Sequence, residues 1–289
     1  MPPPRRFILT IACPDRTGIV AAVSGFIAEH HGWILEAGQH SENESKRFYM
    51  RYEVLAESLP FDLSQFRERF RAVADAYDMR WSIADSSVKK RMVILVSRQE
   101  HCLADLLHRY RVGELDIDLC AVISNHRDLE SYVGWHDVPF HHVPVPAGDP
   151  EAKNAAFAQV GELFERYDAD AYVLARFMQI LPPSLCERYA GRIINIHHSF
   201  LPSFIGARPY HQAFERGVKL IGATCHYVTA ELDAGPIIEQ DVVRVDHSDQ
   251  VDDLVRLGRD VEKAVLARGV RYHIEDRVLI HERKTIVFT

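Results

Sequence analysis

The chain has 289 residues, 47% hydrophobic and 26% charged, with 41 acidic against 34 basic side chains. This is the composition of a soluble globular protein with enough apolar material for a core, and no apolar run approaches the ~20 residues of a bilayer-spanning helix. The net charge of −7 argues against a nucleic-acid partner, which would require a basic face. Five cysteines (Cys13, Cys102, Cys120, Cys186 and Cys225) are odd in number, far apart and form no CxxC. That is the pattern of reduced thiols, and with an N-terminus that runs straight into a strand it predicts a cytoplasmic protein.

The first segment reads strand, helix, strand, strand, helix, strand. Residues 7–13 are rich in β-formers, and Asp15 is placed to cap the helix that follows. Ile19, Val20, Val23, Phe26 and Ile27 recur at helical spacing, and Gly32 is expected to end the helix in a left-handed conformation. Strands over 33–42 and 47–55 flank a polar turn, Asn43-Glu44-Ser45-Lys46. A second amphipathic helix carries Leu63, Phe66, Phe70, Val73 and Tyr77, and residues 81–84 close the sheet. This βαββαβ order is ferredoxin-like. Within it, Cys13-Pro14-Asp15-Arg16-Thr17-Gly18-Ile19-Val20 resembles the opening of an ACT domain, a small-molecule-sensing module. The resemblance implies a regulatory or dimerisation domain over 1–86, with an amino-acid effector or a second copy of the chain at its first loop, and hence a homo-oligomer.

Beyond a polar linker at 86–90 the rhythm becomes alternating strand and helix. Strands are predicted at 91–96, 118–123, 138–143, 171–175, 193–197 and 221–228, with helices at 103–110, 155–167 and 184–189. Such alternation predicts a Rossmann-like, mostly parallel sheet covered on both faces, in a second domain over 87–289. Ser248 or Asp249 is expected to cap a last helix, followed by a hairpin of strands at 277–281 and 284–288.

In an open α/β sheet, ligands bind beyond the carboxyl ends of the strands. The strand Ile193-Ile194-Asn195-Ile196-His197 ends there, and its alternation sets Asn195 and His197 on one face. Polar residues inside an apolar strand need partners if buried. By themselves they fit either a reactive pair or a hydrogen-bonded pair that holds the next turn. Downstream, Glu231-Leu232-Asp233-Ala234-Gly235-Pro236-Ile237-Ile238 offers a loop carboxylate. Asp233 is either a turn former or the third member of a set suited to hydrolysing a formamide. Cys225 lies in an apolar strand and reads as core. His226 beside it fits a supporting partner or a structural role. No H-E-x-x-H and no zinc-spaced Cys/His set is present, so no metal is expected.

The run from Asn195 to Ala207, Asn-Ile-His-His-Ser-Phe-Leu-Pro-Ser-Phe-Ile-Gly-Ala, resembles the N-x-H-x-S-x-L-P segment of the folate-dependent formyltransferase superfamily, and 231–238 resembles its second signature. The ACT-like front end and the doublet His197-His198 resemble the formyltetrahydrofolate deformylases within it. The resemblance implies Asn195, His197 and Asp233 as catalytic residues, 10-formyltetrahydrofolate as substrate rather than bound cofactor, and formate delivered to one-carbon and purine metabolism. It implies a folate pocket formed by Arg176, Met178, Gln179, Ile180 and Leu181 together with Glu231 and Leu232. Gln179 stands where the transformylases of the superfamily carry Arg, so that contact departs from their pattern.

A nucleotide acceptor needs a phosphate cradle, usually a Gly-rich turn after the first strand. The turn here, Ser97-Arg98-Gln99-Glu100, has no glycine and adds a negative charge, which favours water as acceptor. The alternatives are a formyltransferase to an unidentified amine and a folate-binding sensor without turnover.

Overall fold

The computed structural model describes residues 4–203 and 209–289. The last residues of the first signature, Phe204 to Ala207, lie outside them. The chain divides into two units: Met1–Lys89 with Asp276–Leu279 and Ile286–Thr289, and Lys90–Glu275 with Ile280–Thr285.

The first unit runs β1 (Arg6–Pro14), α1 (Ile19–Glu29), β2 (Ile34–Glu42), β3 (Arg47–Leu55), α2 (Leu63–Ala76) and β4 (Arg80–Asp85). The strands form an antiparallel sheet in the order β2-β3-β1-β4, as the ferredoxin-like order requires. Alternation sends Phe7, Leu9, Ile11 and Cys13 of β1 and Phe48, Met50, Tyr52 and Val54 of β3 into one apolar layer with Phe26 of α1 and Phe66 and Phe70 of α2.

Two local expectations at α1 are corrected. Gly18, not Asp15, is the N-cap, and no side chain caps this end. The Asp15 N–H is bound to the Lys46 carbonyl at 2.8 Å, which keeps that residue extended upstream of the helix. At the other end His31, not Gly32, takes the left-handed conformation, with φ 59°. Gly32 serves close packing instead, since a Cβ there would lie 2.6 Å from Ile27 Cγ2.

A further difference concerns the chain's end. The second domain was expected to run unbroken to 289, yet 276–279 and 286–289 belong to the first unit. The reason is electrostatic and steric. Arg277 donates to Glu36 of β2 at 2.9 Å, the Asp276 carbonyl accepts from Arg51 Nε at 3.1 Å, and Phe288 packs over Gly38. Arg51 and Glu53 of β3 are buried, paired to each other at 2.6 Å, so they need this polar company.

The second unit runs β5 (Lys90–Val96), α3 (His101–Arg111), β6 (Ile117–Ser124), α4 (Glu130–Gly134), β7 (Phe140–His142), α5 (Pro150–Tyr167), β8 (Ala171–Leu174), α6 (Pro183–Arg188), β9 (Ile193–His197), α7 (Pro209–Arg216), β10 (Leu220–Tyr227), β11 (Ile237–Arg244) and α8 (Val251–Ile274). The final hairpin is β12 (Val278–His281) with β13 (Lys284–Val287). The seven-stranded sheet has the order β11-β10-β9-β8-β5-β6-β7. Strands β9 to β7 in that list are parallel, and β10 and β11 close the sheet antiparallel.

Both faces of β5 are buried, as a parallel strand between two helical layers should be. Val93 and Leu95 pack with Phe157 and Phe164 of α5 and Leu185 of α6. On α8, Gln250 is the N-cap rather than Ser248 or Asp249. Those two residues are used in their own turn, where Ser248 donates to Asp246 and the Asp246 N–H donates to Asp249. α5 begins five residues before its predicted start because Asp149 caps it, accepting from the Ala152 N–H at 3.0 Å, and Pro150 suits its first turn.

Candidate active site

Asn195 and His197 sit on β9 with their side chains on one face. Because β10 runs antiparallel beside it, His226 comes directly opposite Asn195, and Thr224 opposite His197. The loop after β10 then returns Asp233 to the same place. Its φ is 54°, a left-handed conformation. The loop can double back this tightly because Gly235 lies against β10: a Cβ there would fall 1.8 Å from the Tyr227 carbonyl oxygen.

Asp233 Oδ1 lies 3.2 Å from His197 Nδ1 and 3.9 Å from His226 Nε2. The hydrogen bond from His197 holds the Asp233 carboxyl below the usual carboxylate range, against the opposing effect of burial. Asp233 is therefore anionic at neutral pH, and His197 presents its Nδ1–H to it. That leaves Nε2 of His197, which is buried and has no hydrogen-bond partner among the described residues. A buried polar atom of this kind is left to be satisfied by something that enters the site.

His226 fixes the remaining member. Its Nδ1 is 2.9 Å from the Tyr227 carbonyl, so this nitrogen carries the proton and donates. Burial depresses its basicity, and the ring stays neutral. Nε2 must then accept, and it does so from Asn195 Nδ2 at 3.1 Å. The amide of Asn195 is thereby oriented with its NH₂ inward and its second N–H unspent on His226. His198 is likewise neutral, pushed down to about 3 by burial and then by the Arg176 guanidinium and His197.

These groups line one cavity of about 330 Å³. Every folate-pocket residue proposed from sequence borders it: Arg176, Met178, Gln179, Ile180 and Leu181 on one side, Glu231 and Leu232 on the other. Met178, Ile180 and Leu232 are more than half exposed and form an apolar rim, whereas Leu181 is buried and belongs also to the core. Val228, Thr229 and Ala230 border the cavity too. The sequence reading passed over them, because only the turn after β10 brings them round. Cys225 is fully buried, its thiol pushed upward by burial, in keeping with a core residue.

Among the described residues one His/Cys/carboxylate group is close enough to share an ion: His101, Cys102 and Glu262, with ligand atoms within 4.8 Å. The Arg176 guanidinium, 3.4 Å from that carboxylate, opposes a cation there, and burial keeps Cys102 protonated.

The Formyl transferase family matches residues 90–270, beginning at the first residue of the second unit. Formyltetrahydrofolate deformylase from Bacillus subtilis is 47% identical over 97% of this chain and 93% of its own length. The crystal structure of a formyltetrahydrofolate deformylase from Pseudomonas syringae pv. tomato superposes with a TM-score of 0.97 at 63% identity, covering 100% of this chain and 96% of that one. A glycinamide ribonucleotide transformylase 1 from Symbiobacterium toebii is similar over 72% of this chain and 98% of its own, at 31% identity and a TM-score of 0.64. With a site of this geometry and relatives matching from end to end, the chain belongs to the formyltetrahydrofolate deformylase family of the formyl transferase fold.

Proposed function

We propose that this chain hydrolyses 10-formyltetrahydrofolate to formate and tetrahydrofolate, with Asn195, His197 and Asp233 as its working groups. One observation carries the assignment of roles. His197 Nε2, buried and without a partner among the described residues, faces a cavity that also holds the spare N–H of Asn195, while Asp233 grips the opposite ring nitrogen.

Asp233, with its lowered basicity, is suited to orient and polarise His197 rather than to take the proton itself. His197 Nε2 accepts a proton from water as the water oxygen bonds to the formyl carbon. Asn195 Nδ2 donates to the oxyanion that forms. Collapse of the tetrahedral intermediate breaks the bond between carbon and N10, and His197 returns its proton to N10. Formic acid and tetrahydrofolate leave, and the acid ionises to formate, giving its proton to solvent. The apolar rim of Met178, Ile180 and Leu232 suits the flat face of a pterin, and Gln179 and Glu231 are available to its polar edges.

Purified protein should release formate from 10-formyltetrahydrofolate with no acceptor amine added. In Asn195→Ala, kcat should fall by roughly 10²–10³, the usual cost of one preorganised oxyanion donor. Full activity in that variant would remove Asn195 from the mechanism.

The first unit reads as an ACT-like domain. It has an open hollow bordered by the polar Arg16, Thr17, Ser24, Gln39 and Ser41 and the apolar Ile19, Val20 and Phe48, which offers an amino acid both kinds of contact. We infer that it binds such an effector or pairs with a second copy, in a cytoplasmic enzyme that supplies formate to one-carbon and purine metabolism. Calorimetric titration with glycine and methionine, and the oligomeric state by light scattering, test these two roles.

A further inference from the structure

The chain lays down β5, β6 and β7 in one direction and then β8 and β9 in the other, so the strand order reverses between β5 and β8. The crevice beyond the carboxyl ends of strands at such a reversal is where an open α/β sheet takes its ligand. Here a side-chain bridge spans it, between the active-site cavity and a second hollow of about 630 Å³ bordered by Gln99, His101, Arg259 and Lys263. Arg176, two residues past β8, is 6% exposed, and its Nε donates across the crevice to Gln99 Oε1, past β5, at 2.8 Å. Glu262 of α8 is 1% exposed and lies 3.4 Å from the same guanidinium nitrogen. It also meets His101 Nε2 at 2.8 Å and accepts from Tyr210 Oη at 2.5 Å. Gly258, one turn earlier on α8, leaves room for that tyrosine, since a Cβ there would fall 2.1 Å from its hydroxyl.

The backbone is committed to this arrangement. Arg176 has φ 62°, a left-handed conformation that disfavours any residue but glycine. Ser97 ties the two loops together, accepting from the Met178 N–H at 2.9 Å and donating to Asn125 at 2.7 Å. A buried guanidinium–carboxylate pair is costly to desolvate, and apolar packing would close the same space with less penalty. The pair also stands at the head of α3, where a phosphate would otherwise be drawn; His101, the first residue of that helix, already holds a resident carboxylate.

We propose that Arg176, held by Gln99 and Glu262, is a specificity-determining residue that fills the acceptor side of the site and restricts the nucleophile to water. The class it excludes is primary amines, phosphorylated ones above all. The inference rests on the hydrolytic reading above. In transfer, an amine nitrogen would bond to the formyl carbon, the bond to N10 would break, and the amine's proton would pass to N10, giving an N-formyl amine and tetrahydrofolate. Hydrolysis puts the water oxygen in place of that nitrogen. Both reactions use the same three groups and differ in the room left for the nucleophile.

The test is product partition by the full chain, given 10-formyltetrahydrofolate with and without glycinamide, and read as the ratio of N-formylglycinamide to formate. That ratio does not depend on how much total turnover survives. Wild type should yield formate alone. In R176G, where glycine accepts the left-handed backbone, the ratio should rise roughly tenfold or more above background, the scale on which altered pocket contacts change discrimination. A folded R176G with an unchanged ratio overturns the proposal, and so does a wild type that already formylates glycinamide. If R176G does not fold, R176S/E262Q removes charge and counter-charge together and is read in the same way. Wild type that releases no formate without amine would count instead against the hydrolytic reading.

Discussion

Asp233 works as an anion pinned to one imidazole nitrogen, and its behaviour with pH follows from that. Its folded pKa lies below the ordinary carboxylate value of about 4, with the His197 hydrogen bond as the largest cause. A carboxyl depressed on folding adds stability that is fully present above the unfolded pKa and is lost as pH falls through the folded one. The difference in melting temperature between wild type and D233N should therefore be constant from neutral pH down to about 5 and shrink below about 4. A difference that instead closed between pH 6 and 7 would assign the coupling to an imidazole. D233N should also lose roughly 10²–10⁴ in kcat, the range for a group on which acid–base transfer depends. Asn195, His197 and Asp233 stood out in the sequence as polar residues interrupting apolar strands and turns. The tautomer of His226, which aims the Asn195 amide, did not, because it depends on the Tyr227 carbonyl and on the register of two strands.

At the level of elements, the loop between β10 and β11 matters more than its length suggests. Gly235 touches backbone, and neither the Tyr227 carbonyl nor the loop can retreat without moving Asp233. Gly235→Ala should destabilise the fold by about 2–3 kcal/mol, as overpacking against a rigid neighbour does, and lower activity together with stability. A variant that kept full activity would mean that Asp233 tolerates displacement. β5, β8 and β9 were legible because runs of Val, Ile and Leu between turn residues can be little else than buried parallel strands. α7 and α4 are harder to read, being only eight and five residues long. The start of α1 was misread for a different reason. Asp15 is a good cap by type, but the Lys46 carbonyl holds its backbone elsewhere.

On the scale of the whole molecule, the C-terminus is not the plain end of the second unit. Arg277 pairs with Glu36 and sets that carboxyl below its usual range, so residues 241 positions apart in sequence stabilise one sheet. Glu36 is 41% exposed at its side chain, which screens the pair. Arg277→Ala should therefore cost only about 1 kcal/mol, read as a shift in the denaturant midpoint of the first unit's transition. No shift would mean that Phe288 over Gly38 and the Arg51–Asp276 hydrogen bond carry the attachment without Arg277.

By itself the sequence determined the two rhythms of secondary structure, the sheet type of each half, and which polar residues had no business in apolar strands. These are local properties: alternation, helical spacing and turn chemistry act over a few residues. Only the tertiary structure decided that His226 stands beside Asn195, that the last residues return to the first sheet, and that Arg176, at the border of the cavity, is held by Gln99 and Glu262. Glu262 falls at helical spacing with the buried Leu254, Gly258 and Val265, but that spacing does not say what the carboxylate meets. Nothing short of packing α8 against α3 puts that carboxylate at the mouth of β5 and β8, because burial, charge pairing and strand register are fixed between segments and not within them.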